Sequence, residues 1–258
     1  MQALQVQMRV LKALILRETM TLYGHSKLGY LWAIIEPSLM IGILWFIFMA
    51  VGRDQSLPFG IGLPVFLLSG LTPWLLFSST ISKILPAIRG NLALLSYPQV
   101  TPLDIMVARA VLDGVTKLTV CSLLLGILAM AGQIYSIYSL QNILGSLALA
   151  WLLGVGVGIC GAAASVTRPS VTNFINSCLR VLFFISGIFF NVDMLPFEIR
   201  KFMLFNPLLH VVELARSGFS PSHTHIDISV YYPLGFVSVL LFLAFPLERM
   251  VRGRIERL

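Results

Sequence analysis

The sequence predicts an all-α integral membrane protein: six transmembrane helices, an N-terminal amphipathic interfacial helix before them, and two short helices between the fifth and sixth spans. Three observations carry that expectation. The chain of 258 residues is 57% hydrophobic and 11% charged, with a mean hydropathy of +0.90, which is more apolar surface than a soluble core of that size can hide. Six apolar segments approach the roughly 20 residues that a helix needs to cross the hydrocarbon core. Lys and Arg flank those segments mostly on one side, the bias that sets orientation in a membrane. The net charge of +7 therefore reports topology, and no nucleic-acid partner follows from it.

The N-terminal segment reads as a helix lying in the interface. Leu4, Met8, Leu11, Ile15 and Leu22 recur at helical spacing on one side, while Gln5, Arg9, Lys12 and Thr19 gather on the other. Its apolar run from Val10 to Leu16 is broken by Lys12 and no small-residue cleavage site follows, so it is not read as a cleavable signal. At the junction with the first span, Gly24 permits a turn and Ser26 offers an N-cap. Tyr23, Tyr30 and Trp32 suit the headgroup level, and Lys27 marks that end as cytoplasmic.

The spans are predicted over residues 29–51, 63–84, 118–131 with an upstream extension, 143–164, 171–190 and 228–247. With both termini cytoplasmic, Arg9, Lys12, Arg17, Lys27, Lys83, Arg89, Arg109, Lys117, Arg168, Arg249, Arg252, Arg254 and Arg257 fall inside. Only Arg53, Arg200, Lys201 and Arg216 fall outside, and Arg180 lies within a span.

Between the second and third spans, Pro98 and Pro102 break any continuous helix. Thr101, Pro102 and Asp104 then supply an N-cap, an N1 proline and a first-turn acid, so the third helix starts at Pro102. Arg109, Asp113 and Lys117 follow at a spacing of four, which predicts a solvated ladder of exposed pairs on one face. In the fourth span, Gly156, Gly158 and Gly161 spell the dinucleotide fingerprint GxGxxG. It needs a preceding strand and a helix N-terminus in water, and neither exists inside an apolar run. Gly154 and Gly158 instead suit close helix packing in lipid. Cys121, Cys160 and Cys178 all sit in apolar spans, where cysteine acts as a small hydrophobe; no disulfide and no metal is expected.

From Leu195 to Phe219 neither half is long enough to span. One helix begins at Pro196, the next at Pro207 capped by Asn206, and Gly218 stops it. His210 and Glu213 are expected to form a hydrogen-bonded pair, with Arg216 one turn further, and His223 and His225 to be solvated. The sequence has no GxxxxGK loop, no serine elbow and no soluble domain to hold paired carboxylates, so the chain is read as a non-enzyme that cannot hydrolyse ATP.

Three stretches are similar to one known family. YGHSKLGYLWAIIEP at 23–37 with Arg17 and Glu18 upstream, NLALLSYPQVTPLDIMVARAVLD at 91–113, and LPFEIRKFMLFNPLLHVVELARSGF at 195–219 resemble permease subunits of bacterial capsular polysaccharide ABC exporters, of the type-2 ABC transporter membrane-domain family. The resemblance implies one membrane domain: a cytoplasmic interfacial helix at 1–27, spans one to five over 28–190 with a coupling loop at 85–104, a periplasmic re-entrant pair and loop at 191–227, span six at 228–248 and a basic tail at 249–258. It implies coupling to an ATPase through Arg9, Arg17, Glu18, Leu95, Tyr97 and Pro98. It also implies a channel along Trp74, Phe77, Arg180, Phe189 and Phe190, and a periplasmic gate at Asn206, Pro207, His210, Glu213 and Arg216.

The implied partners are a second copy of the chain, two ABC ATPase subunits that hold ATP and magnesium, a periplasmic adaptor, and an outer-membrane polysaccharide export protein. The chain itself needs no cofactor. The implied cargo is a lipid-linked, acidic polysaccharide, and the implied place is the bacterial inner membrane. The alternatives are an exporter of another glycan, such as O-antigen or teichoic acid, and a membrane-embedded lipid-linked glycan transferase, which would need clustered acids. For Arg180 two readings stand: it snorkels or pairs with Glu36, or it lines the channel and holds anionic groups.

Overall fold

A computed structural model describes residues 2–23, 28–52, 61–97, 99–134, 137–220 and 228–255. Gly24, Ser26, Lys27, Arg53, Pro98, His223, His225 and Arg257 lie outside them. The helices are α1 (Gln2–Tyr23), α2 (Leu28–Ala50), α3 (Leu63–Ile84), α4 (Pro102–Met130), α5 (Leu140–Thr167), α6 (Ser170–Ile185), α7 (Phe197–Met203), α8 (Pro207–Ser217) and α9 (Tyr231–Ile255), with short 3-10 turns at Arg89–Ser96 and Val192–Met194.

Local chemistry explains the boundaries. Thr101 and Asp104 close a reciprocal capping box at the start of α4, followed by Pro102 at its first position. Ser139 accepts from the Asn142 amide to open α5, and Asn206 accepts from the Leu208 amide to open α8.

Among the described residues, four helices are long and apolar enough to cross a membrane: α3, α4, α5 and the Tyr231–Val251 part of α9. α2 and α6 carry shorter apolar stretches, Ile34–Ala50 and Ser170–Ile185. The span expected over 171–190 is thus corrected to a helix ending at Ile185. At 1.5 Å per residue its 16 residues reach about 24 Å, short of a core about 30 Å thick. The helix stops because the chain turns at Gly187, whose φ of 77° is a left-handed conformation that a side chain resists. The sixth span and the start of the basic tail are one continuous helix to Ile255, with Pro246 inside it.

α5 is the centre of the bundle, packed on α3, α8 and α9. Its small-residue face permits this. A Cβ at Gly154 would stand 2.8 Å from the Phe77 carbonyl oxygen, and one at Gly158 would stand 3.0 Å from the Ile84 Cβ. Leu63, Leu67, Leu71 and Ile81 of α3 and Ala150 and Leu153 of α5 fill the main core. A second cluster, with Leu14 of α1, Ile84, Ile105, Met106 and Ile159, lies where α1 packs on α4.

The buried stripe of α1 is rotated from the one its sequence predicts. Leu14 and Glu18 are buried and Val10, Leu11 and Ile15 half-buried, while Met8 is 62% exposed. Tertiary contact with α4 decides which face is covered, and an acid with a partner can join that face.

Candidate functional site

Three groups of predicted residues occupy three places. The first joins α1 to the start of α4 and the turn before it. Gln7 donates to the Asp104 carboxylate, Arg17 donates from Nη1 to Asn91 Oδ1 at 3.0 Å, and Arg109 donates from Nε to Glu18 Oε1 at 3.1 Å. A second Arg109 nitrogen, Nη1, reaches the Lys83 carbonyl at 3.2 Å. Arg89 ties the turn to the Ser165 carbonyl at the end of α5. Arg9 and Tyr97 are exposed and Leu95 half-buried, so a surface of this region stays open.

The expected solvated ladder on α4 is therefore corrected. Arg109 pairs with α1, and Asp113 is buried, accepting from Ser79 Oγ at 2.7 Å and Thr80 Oγ1 at 3.0 Å. The spacing was right for pairing along the helix, but α3 and α1 cover that face, and hydroxyls and a cross-helix carboxylate replace water.

The second place is an open groove of about 590 Å³ between α2, α3 and α6, walled by Trp74, Ser78, Ser82, Asn176, Arg180 and Phe184 among others. Trp74 packs 6.0 Å from Phe77 and 5.4 Å from Phe183, ring centre to ring centre. Phe183 stacks edge-on against Phe189 at 5.1 Å. Trp74, Phe77, Arg180 and Phe189 are thus brought together. Phe190 is held apart, its carbonyl accepting from Arg216. Arg180 and Glu36 are both exposed and form no ion pair with one another, which removes the pairing expected as one of the bland options. Sequence reasoning missed Ser78, Ser82, Phe183 and Phe184. The signal was present for α6, since Asn176, Arg180, Phe183 and Phe184 recur at three- and four-residue spacing on one face.

The third place is the break after α6. Asn206 caps α8 and also donates from Nδ2 to the Ile185 carbonyl at 3.3 Å and to Ser186 Oγ at 3.1 Å, closing two helix ends with one side chain. Arg216 is fully buried. It donates to the Phe190 carbonyl at 3.0 Å, the Ile188 carbonyl at 3.0 Å and Glu213 Oε1 at 2.8 Å, and its guanidinium lies 3.8 Å over the Phe66 ring. Two carbonyls of the irregular segment after α6 are satisfied by this one cation.

His210 does not pair with Glu213, contrary to expectation. Its Nε2 lies 2.8 Å from the Leu204 carbonyl, and its Nδ1 accepts from the Ser229 amide at 3.2 Å, which assigns the proton to Nε2. Burial holds this imidazole below its usual pKa, against the opposing pull of the Leu204 carbonyl. Pro207 sits at the first position of α8. Glu213 and Arg216 thus stand behind the break, with no surface of their own.

None of these places sets a nucleophile beside a base, and among the described residues no His, Cys, Asp and Glu cluster could hold a metal ion. The chemistry on offer is recognition: cations, aromatic faces and a groove.

Comparison with known proteins matches residues 9–220 to the ABC-2 type transporter family. The chain is 36% identical over 245 residues to the polysialic acid transport protein KpsM of Escherichia coli, covering 95% of this chain and 94% of that one. It is 28% identical to the capsule polysaccharide export inner-membrane protein BexB of Haemophilus influenzae, covering 92% and 88%. It is 27% identical to the capsule polysaccharide export inner-membrane protein CtrC of Neisseria meningitidis serogroup B, covering 84% and 82%.

Proposed function

The chain belongs to the ABC-2 type transporter membrane family, and from that premise we propose that it is the permease subunit of an ATP-driven exporter that moves lipid-linked capsular polysaccharide across the bacterial inner membrane. The observation that carries the reading is the near end-to-end likeness to capsule-export permeases. It is a transport component and not an enzyme; two ATPase chains hold ATP and magnesium and supply the energy.

In this reading α2 to α5, α6 together with the irregular segment that follows it to Phe190, and α9 make six crossings, with both termini cytoplasmic. α7 and α8, of 7 and 11 residues, enter from the periplasmic side and return. Helices that short have their exposed backbone ends satisfied only inside protein or beside water, in keeping with the bonds made by Asn206 and Arg216. The ATPase docks on Arg9 of α1 and on the turn carrying Leu95 and Tyr97. Its push passes to α4 through the bonds from Gln7 and Glu18.

Two copies set their α2, α3 and α6 grooves face to face, enclosing a channel with Trp74 and Arg180 in its wall. Aromatic faces suit sugar rings, and a guanidinium suits carboxylate or phosphate oxygens in pairs. Asn206 and Pro207 shape the gate, which hands the glycan to a periplasmic adaptor and an outer-membrane channel.

The test is to delete the chain in an encapsulated host and to purify it from native membranes. Lipid-linked glycan should accumulate inside the cells, and an ATPase chain should copurify in equal amount. Normal surface capsule in the deletion strain would overturn the reading.

A further inference from the structure

Beside the Glu18 and Arg109 pair lies a cavity of about 270 Å³, lined by Glu18, Ser82, Lys83, Arg109, Leu112 and Asp113 from three helices. Its charged groups are only half used. Glu18 spends Oε1 on Arg109, and Asp113 spends Oδ2 on the Ser79 and Thr80 hydroxyls of α3. Among the described residues Glu18 Oε2, Asp113 Oδ1, Lys83 Nζ and Arg109 Nη2 have no protein partner. Glu18 and Asp113 are nonetheless 5% and 7% exposed. Each carboxylate keeps one oxygen, and Lys83 and Arg109 keep N–H groups, toward the cavity, so a ligand carrying both signs of charge can bond there.

The place narrows the choice. Lys83 is in the last turn of α3 and Arg109 in the second turn of α4, under the amphipathic α1, which is headgroup depth if α1 lies in the interface. On the same face of α4, Lys117, Val120 and Leu124 follow Asp113 and line a separate narrow crevice with Thr72 and Leu75 of α3 and Pro37 of α2, apolar beyond Lys117. A polar cavity followed along α4 by an apolar surface suits a lipid, with the headgroup in the cavity and the acyl chain lying along the helix.

We propose that this cavity binds the zwitterionic headgroup of phosphatidylethanolamine as a structural membrane lipid, its phosphate on Lys83 and Arg109 and its ammonium on Asp113 and Glu18. A purely anionic headgroup meets two carboxylates. A choline headgroup carries no N–H to give them. The site lies apart from the channel wall except at Ser82, which lines both, and the inference rests on the reading of α1 as an interfacial helix.

Native mass spectrometry of the full-length permease, titrated with phosphatidylethanolamine, phosphatidylglycerol or phosphatidylcholine, tests it without measuring export. Phosphatidylethanolamine should bind about tenfold more tightly than the other two, and Lys83→Gln should weaken the binding of all three by a similar factor. Asp113→Asn should erase the preference over phosphatidylglycerol. Should that variant fail to fold, Ser82→Leu, at an exposed position on the rim, should block binding in folded protein. Equal binding of all three lipids, or binding unchanged by Lys83→Gln and Ser82→Leu, would overturn the proposal. So would water-soluble glycerophosphoethanolamine binding as well as the lipid, or lipid-linked glycan displacing phosphatidylethanolamine from the cavity. Loss of export with lipid binding intact bears on the transport reading alone.

Discussion

Glu18 and Arg109 meet at 3.1 Å across α1 and α4, with side chains only 7% and 19% exposed. A buried pair does little for net stability, but removing one partner strands the other charge. Arg109→Gln should therefore destabilise the purified permease by roughly 2–3 kcal/mol, toward the low end because Arg109 retains some water contact. Glu18→Gln should cost less, since Arg109 keeps the Lys83 carbonyl. If the pair transmits force from the ATPase, both variants should lower export more than they lower abundance, and the exchange Glu18→Arg with Arg109→Glu should restore part of it. A double-mutant cycle with no coupling energy would separate α1 from the drive.

Tyr97 is 62% exposed on the turn before α4, and its side chain makes no hydrogen bond among the described residues. Tyr97→Glu should leave the permease folded and inserted, since a surface change of this kind shifts stability within about 0.5 kcal/mol. Export should nevertheless fail, with ATP hydrolysis continuing uncoupled. Normal capsule at normal protein level would remove the turn from the ATPase interface.

How much of this was legible depended on whether a local rule or a distant contact decided the outcome. Thr101, Pro102 and Asp104 specify the start of α4 by themselves, and Asn206 with Pro207 does the same for α8, because a cap is satisfied within a few residues. That Gly154 and Gly158 mark a close helix contact could also be read, since small residues let helices approach closely in lipid, but the partner, α3, could not. The partners of Arg109 and Asp113 could not. Each had a plausible neighbour three or four residues away, and for Arg109 and Asp113 it was displaced by a group 33 to 91 residues distant in sequence. The early end of α6 was hidden for a related reason. Residues 186 to 190 are apolar enough to continue a helix, and the turn at Gly187 is held by Arg216 and Asn206 from beyond the break.

That double role of Asn206 makes a graded prediction. Asn206→Ala removes the α8 cap and both bonds to the end of α6, so it should cost roughly 1–2 kcal/mol locally. The bundle should stay folded while the break opens more often. A cysteine at Leu209, which is fully buried, should then react faster with a periplasmic maleimide than in the parent. Unchanged reactivity together with unchanged export would show that the Asn206 bonds do not limit opening.

Arg180 is the sharpest case, because it is a charge on a membrane helix with no ion pair among the described residues and an open groove in front of it. A guanidinium facing lipid at depth costs at least about 3 kcal/mol on insertion scales, so the groove must offer it water, a second copy or cargo. Asn176, one turn earlier on the same wall, and Ser78 and Ser82 across it keep that side polar. Trp74 and Phe184 add flat apolar faces. If Arg180 only snorkels toward headgroups, Arg180→Gln should export normally, since glutamine is cheaper to place there than arginine. If it holds anionic groups of the glycan, the same variant loses one charge-assisted contact per copy, and export should fall roughly tenfold or more. Arg180→Lys keeps the charge but not the paired geometry, and should fall between the two. Comparing export of acidic capsule across the parent, lysine and glutamine forms at equal membrane abundance decides it: a flat series would exclude Arg180 as a cargo contact.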